Sequence, residues 1–170
     1  MRHLSIRHRP PVLLGLVVLA LPVLSGCGLG VSRATFVARA NTACAHSAAR
    51  IAAMRQPDSP EDTIGYAIDL FAQKDRLLTE LTEADLPSAE AAALRSGWLR
   101  PATRDLNRAR ADLPAISRAV RAADPDRTAA GLTALRAADT AGVDDAMLLR
   151  YGLTGCLKVF GDPGHAAPAD

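Results

Sequence analysis

Apolar residues recur every three or four positions through most of the chain from residue 33 onwards, and this spacing is typical of amphipathic helices. The stretches are separated by short segments containing proline or aspartate. Alanine accounts for 34 of the 170 residues, and leucine is common among the larger apolar ones. Both residues favour helix over strand. We therefore expect an all-α fold, an up-down-up-down four-helix bundle over residues 33–157.

The first two helices have clear boundaries in the sequence. Helix one is predicted over 33–55, and its apolar stripe consists of Phe36, Ala40, Cys44, Ala48, Ile51 and Met54. Helix two begins at Ser59-Pro60, a capping serine followed by a proline at the first helical position, and it ends before Asp85. Its apolar stripe consists of Ile64, Ile68, Phe71, Leu78 and Leu81.

Prolines complicate the third helix. Ser88 is predicted to cap it, and its stripe consists of Leu94, Trp98, Ala102, Leu106, Ala109, Leu113, Ile116 and Val120. Pro101 and Pro114 lie inside it, and an interior proline costs about 3 kcal/mol and bends the axis. We expect one kinked helix or two collinear pieces.

The fourth helix is predicted to start at Asp124-Pro125 and to end at Gly152, a C-terminal cap. Its stripe consists of Leu132, Leu135, Asp139, Gly142, Ala146 and Leu149. The polar residues 158–170, with their prolines and glycines, are predicted to form a disordered tail.

The start of the chain indicates export. Residues 2–9 are basic and residues 12–24 are apolar, a run shorter than the ~20 residues of a membrane-spanning helix. Leu24-Ser25-Gly26-Cys27 then resembles the bacterial lipobox. That resemblance implies a lipoprotein signal peptide over 1–26, an S-diacylglyceryl anchor on Cys27 and a lipidated tether over 27–32. The alternative is an ordinary secretory signal that happens to contain a cysteine.

If Cys27 carries the lipid, Cys44 and Cys156 remain as an even pair in an oxidising compartment. An antiparallel helix four ends near the start of helix one, and a segment that folds back after Gly152 could bring the two cysteines together. The alternatives are two free thiols, or a metal or redox site. The sequence has no C-x-x-C motif, and His46 points to a different face of helix one from Cys44, so we expect a structural disulfide.

Two short motifs contain these cysteines. "FVARANTAC" (36–44) and "YGLTGC" (151–156) resemble the paired motifs of an uncharacterised actinobacterial family of secreted or lipoprotein helical bundles. The excess of arginine over lysine, 18 against 2, agrees with a GC-rich actinobacterial genome. The resemblance implies a helical fold and the Cys44–Cys156 bridge, and it implies no activity. Asn41 within the motif could hydrogen-bond across the bundle.

The charge of the mature chain excludes a strong attraction to nucleic acid. Without residues 1–26 it has 17 basic and 18 acidic residues, a net charge of −1. Arginines do cluster on helix three, at positions 95, 100, 104, 108 and 110. They could contact anionic head groups or wall polymers, or form a solvated face in which Asp105 and Asp112 pair with Arg108. We expect the solvated face.

Motifs for catalysis or metal binding are absent from the sequence. It contains no G-x-S-x-G, no H-E-x-x-H and no phosphate-binding glycine loop. His46 is the single histidine of the predicted bundle, and no loop of alternating oxygen ligands surrounds Asp139, Asp144 and Asp145. We expect no enzyme activity, no cofactor and no metal.

Aromatic residues offer one candidate binding pocket. Trp98, Phe36, Phe71 and Tyr66 could line a cavity, although their helical spacing favours core packing. Two functions remain. The first is a lipid-anchored interaction or structural module on the extracytoplasmic face of the cell membrane, with an envelope protein or wall component as partner. The alternative is a lipoprotein that binds an apolar ligand inside the bundle.

Overall fold

The computed structural model describes residues 30–140 and 143–161, all of them helical or in connecting segments, with no β-strand among them. A π-helical turn, Arg95–Leu99, joins the helices before and after it, Ala91–Leu94 and Arg100–Arg121, into one continuous helix. The helices are α1 (Arg33–Ala52), α2 (Pro60–Glu83), α3 (Ala91–Leu94), α4 (Arg100–Arg121), α5 (Pro125–Thr140), α6 (Asp145–Tyr151) and α7 (Thr154–Phe160).

Side-chain caps start the first two long helices. The Ser32 hydroxyl accepts a hydrogen bond from the backbone N–H of Thr35 at 3.1 Å. The Ser59 hydroxyl accepts one from the N–H of Asp62 at 3.0 Å, and Pro60 follows as the first helical residue, as predicted. These caps satisfy backbone donors that have no partner inside the helix.

The predicted third helix corresponds to α3, the π-helical turn and α4 together, and it differs from the prediction at its start. Ser88 does not cap it: Ser88 lies exposed in a turn closed by the bond from Glu90 N–H to the Pro87 carbonyl, and α3 begins at Ala91. The predicted stripe is confirmed, since its members from Leu94 to Ile116 are all buried. Pro114 lies within α4 without interrupting it.

A kink was predicted at Pro101, and the structure has a π-helical turn, Arg95–Leu99, just before this proline. Proline has no N–H to donate, and in an α-helix its ring would press on the carbonyl four residues earlier, that of Gly97. In the wider turn the N–H of Arg100 bonds to the carbonyl of Arg95 instead. Gly97 also permits close packing, because a β-carbon there would come within 2.7 Å of the Met147 sulfur on α6.

The single fourth helix was a wrong prediction. The predicted helix is divided into α5 and α6, and residues 143 and 144 before α6 are not helical. Helix α7 follows Gly152, in the segment that was expected to fold back. Leu149, predicted to face the core, is 56% exposed, and Met147 and Leu148 are buried in its place. Gly152 does cap the C-terminus of α6, in the left-handed conformation at φ 79°.

The hairpin of α4 and α5 is closely packed. Ala123 turns the chain with a φ of 51°, and the Asp124 carboxylate accepts a hydrogen bond from the N–H of Arg127 at 3.0 Å. Gly131 lies against Ile116, where a β-carbon would approach the isoleucine side chain to 2.8 Å. This contact brings α5 back along α4.

Helix α7 folds back along α1. Gly152 lies against Val37, Gly155 against Asn41 and Cys156 against Cys44, so the two helices run in the same direction. Helix α1 also packs on α2, and α2 on α4, whereas α5 packs on α4. The single fourth helix of the predicted bundle is thus replaced by α5, which packs on α4, and by the α6–α7 pair, of which α7 packs on α1.

The predicted end of the bundle at residue 157 falls inside α7, which continues to Phe160 with Val159 and Phe160 buried. The rest of the predicted tail, 162–170, lies outside the described residues. So do the predicted signal peptide and Cys27.

Candidate functional site

Cys44 and Cys156 form the predicted disulfide. Their α-carbons are 4.9 Å apart, within the ~4.4–6.8 Å range of such bonds, and both residues are wholly buried. The bond joins α1 to α7 across a sequence separation of 112 residues. The alternatives of two free thiols and of a cysteine metal site are therefore excluded.

Asn41 makes a second link between the same two regions. Its Nδ2 donates to the carbonyl of Gly152 at 2.8 Å, and its Oδ1 accepts from the N–H of Gly155 at 2.9 Å. The suggested bond across the bundle is thus confirmed. Gly155 is needed here, because a β-carbon would come within 2.9 Å of the Asn41 carbonyl oxygen.

Arg33 extends this contact to the end of α6. Its guanidinium donates to the carbonyl of Arg150 at 2.8 Å and lies over the ring of Tyr151, 5.1 Å from the ring centre. The first of these bonds satisfies a carbonyl at a helix C-terminus. Both quoted motifs, 36–44 and 151–156, therefore meet at one contact, and their role there is structural.

The structure does not gather the four aromatic residues of the candidate pocket around one cavity. Trp98 and Phe71 belong to the packed core, and the rings of Trp98 and Phe160 meet nearly at right angles, with their centres 6.1 Å apart. Phe36 lines a groove of about 440 Å³ between α1 and α2. Tyr66 lines a different groove, beside Met54.

Three arginines share a further groove, between the end of α2 and the continuous helix that follows. We call it the arginine groove; it has a volume of about 550 Å³ and is lined by Thr82, Arg95, Leu99, Arg100, Thr103, Arg104 and Asn107. No acidic residue is among those lining residues. Leu99, one of these lining residues, is buried.

The remaining arginines of helix three have other environments. Arg110 joins α4 to α2, since it donates to the carbonyl of Phe71 at 3.0 Å and pairs with Asp75 at 3.2 Å. The expected pairing of Asp105 with Arg108 is not found; Asp105 pairs with its neighbour Arg104 at 3.2 Å. Within the described residues, Arg108 forms no ion pair and faces solvent.

The acidic residues considered for cation binding form no group of metal ligands within the described part of the chain. Asp144 lies 4.0 Å from Arg150, and the side chain of Asp139 is outside the described part of the chain. His46 is exposed on α1, at the edge of the groove that Phe36 lines. Among residues 30–140 and 143–161, no three histidine, cysteine or acidic side chains are grouped as metal ligands would be.

Buried polar groups are features that sequence reasoning missed. Lys74 is buried, with its ammonium 5.9 Å from the centre of the Phe160 ring. The Ser47 hydroxyl and the Trp98 indole N–H are buried and have no hydrogen-bond partner among residues 30–140 and 143–161. Ser47 lies three residues after Cys44, where the helical spacing of the apolar residues predicts burial, and this spacing was the available signal for the buried serine.

Comparisons with known proteins gave no relative: no family model, no curated protein and no solved structure matches the chain. In the described part of the chain, none of the helices combines the length and the apolar character needed to span a bilayer. The interpretation of function therefore depends on the chain's own residues.

Proposed function

We propose that the protein is a lipoprotein of the extracytoplasmic face of the cell membrane, acylated on Cys27, and that it acts as an interaction or structural module of the cell envelope. The observation that carries this proposal is the buried Cys44–Cys156 disulfide. Structural disulfides persist in oxidising compartments and are rare in the cytosol, so the bond supports export. It also leaves Cys27 as the one cysteine available for acylation.

The short distance between Cys27 and the fold supports a role close to the membrane. Gly30 already lies against Ser88, with the position of a β-carbon 3.6 Å from the serine hydroxyl oxygen. Gly30 is three positions after Cys27, so even a fully extended chain spans only about 10 Å between them. An acylated Cys27 would therefore hold this end of the molecule at the bilayer surface.

The packing of the aromatic residues favours an interaction module over a protein with a ligand inside the bundle. Phe36, Phe71 and Trp98 are each no more than 2% exposed and pack within one apolar cluster. A ligand beside Trp98 would have to displace these contacts. The residues available to a partner are those on the outer helix faces.

Substitution of Cys27 tests the anchor. Cells carrying Cys27→Ala should accumulate unprocessed precursor or release the protein from membranes, and a clickable fatty acid should no longer label it. Leu29→Ala, which alters the chain just outside the lipobox, is the matched control and should be labelled like the wild type. Equal labelling of Cys27→Ala and wild type would overturn the proposal.

A further inference from the structure

The π-helical turn changes which arginines share a face. In an α-helix, residues five apart are separated by about 140° around the axis, so Arg95 would point away from Arg100. Here a hydrogen bond from the Arg100 N–H to the Arg95 carbonyl closes a wider turn, which brings Arg95 onto the same face as Arg100, much as residues four apart share a face in an α-helix. Arg104 follows four residues later, on the same face. All three line the arginine groove.

Within the described residues, two of these arginines have no partner for their charge. Arg95 and Arg100 are exposed and form no ion pair or side-chain hydrogen bond within the described residues. Arg104 has only Asp105, at 3.2 Å, and its own side chain is 65% exposed. Three neighbouring guanidinium groups repel one another, and an anion between them would remove that repulsion.

The chemistry of the groove fits a phosphate group. Guanidinium groups bind phosphate oxygens through pairs of parallel hydrogen bonds, and they lose less on desolvation than an ammonium. The amide of Asn107 and the hydroxyl of Thr82 add uncharged donors on the same lining. The volume of about 550 Å³ is large enough for a phosphate together with the small alcohol esterified to it.

The groove begins at the end of the molecule where Gly30 lies. Thr82 is next to the last residue of α2, and Arg95 comes four residues after the start of α3. From Ala91, the three arginines lie about 6, 14 and 20 Å along the helix axis. A bilayer headgroup layer is about 6 Å thick, so all three can reach it only if this helix lies along the membrane surface.

We propose that the arginine groove binds the phosphate of an anionic phospholipid headgroup, and that this contact lays the helix 91–121 along the bilayer. The closeness to the membrane rests on the proposed acylation of Cys27, whereas the anion site itself does not. The site therefore adds a specific lipid contact to the general anchor.

The test is a calorimetric titration of the purified full chain, in a non-ionic detergent, with short-chain lipids. Dihexanoyl phosphatidylglycerol should bind, and dihexanoyl phosphatidylcholine, which has no net charge, should give only the signal of partition into detergent. Binding should weaken as salt rises, because the guanidinium groups are exposed and screened. Glycerol 3-phosphate is titrated as the soluble anion, and we expect weaker binding than for the anionic lipid.

Two double variants with equal charge change identify the site. Arg95→Gln/Arg100→Gln should lower the affinity for the anionic lipid about thirtyfold, since one arginine near an anionic surface contributes about fivefold. Arg108→Gln/Arg118→Gln removes two exposed arginines of the same helix outside the groove, and its affinity should stay within about twofold of wild type.

Equal affinities for the two lipids, or an equal loss in the two double variants, would overturn the anion site. Glycerol 3-phosphate binding as tightly as the anionic lipid would overturn the assignment to a membrane headgroup. These outcomes are independent of the anchor, because the titration does not require Cys27 to be acylated.

Discussion

The side-chain oxygen of Asn41 accepts a hydrogen bond from the backbone N–H of Gly155, 114 residues further along the chain, at 2.9 Å. The asparagine amide donates at the same time to the carbonyl of Gly152, at 2.8 Å. Together with the disulfide from Cys44, one helix turn away, these bonds fix α7 on α1. The residues of the two motifs, 36–44 and 151–156, therefore hold the C-terminal segment on α1.

Replacement of Asn41 by alanine should destabilise the oxidised protein by about 1–3 kcal/mol. The change removes two hydrogen bonds and leaves partly buried backbone groups without partners. The midpoint of urea unfolding measures the effect. Thr42→Ala is the control, because that hydroxyl is exposed and bonds only to its own helix, at Ala38; it should change stability by less than about 0.5 kcal/mol. Equal midpoints for Asn41→Ala and Thr42→Ala would contradict the role of Asn41.

Two glycine-to-alanine substitutions should have opposite effects. In Gly155→Ala the new β-carbon meets the Asn41 backbone at 2.9 Å, which can be relieved only by separating α7 from α1. We expect a loss of about 1–3 kcal/mol, as in other overpacked sites. Gly65→Ala, within α2 and with nothing nearby, should gain about 0.4–1 kcal/mol. A thermal melt of both variants decides this, and a stabilised Gly155→Ala would show that the close approach is absent.

Loss of the disulfide should cost about 2–5 kcal/mol, because the bond closes a loop of 112 residues in the unfolded chain. For a domain of this size, even ~2 kcal/mol lowers the melting temperature by roughly 4–8 °C. Cys44→Ala, Cys156→Ala and the double variant should melt at similar temperatures, because either single change already opens the loop. A single variant that melts like the wild type would contradict this account.

Ser47→Ala should be neutral or stabilising. The hydroxyl is fully buried and has no hydrogen-bond partner in the part of the chain that the structure describes, so its removal from the core releases a desolvation cost and leaves almost no cavity. Chemical denaturation should show no decrease in the free energy of unfolding. A loss above about 1 kcal/mol would mean that the hydroxyl bonds to a water or a neighbouring group.

The sequence allowed the first three helices to be predicted because their apolar stripes are regular, and because the start of the second carries a physical signal. That signal is Ser59-Pro60. The disulfide followed from the number of cysteines and the return of the chain to α1. These features depend on local chemistry and on chain topology.

The C-terminal third was harder to predict because its stripe contained small and polar residues. Alanine and glycine fit several helical phases, so the pattern did not reveal that α5 ends at Thr140 or that Leu149 would face solvent. The alignment of Arg95 with Arg100 was also hidden, since it depends on a π-helical turn. Pro101, directly after that pair, was the available signal.

The central claim is that the protein is acylated on Cys27 and carries the Cys44–Cys156 disulfide. The most direct test isolates the protein from membranes, alkylates it without reduction, digests it and measures the masses of the peptides. The account predicts that the first residue is Cys27 with a diacylglyceryl group, and that Cys44 and Cys156 appear in one disulfide-linked pair of peptides without alkylation. An unprocessed N-terminus or an alkylated Cys27 would contradict the anchor, and alkylated Cys44 would contradict the exported, disulfide-bonded fold.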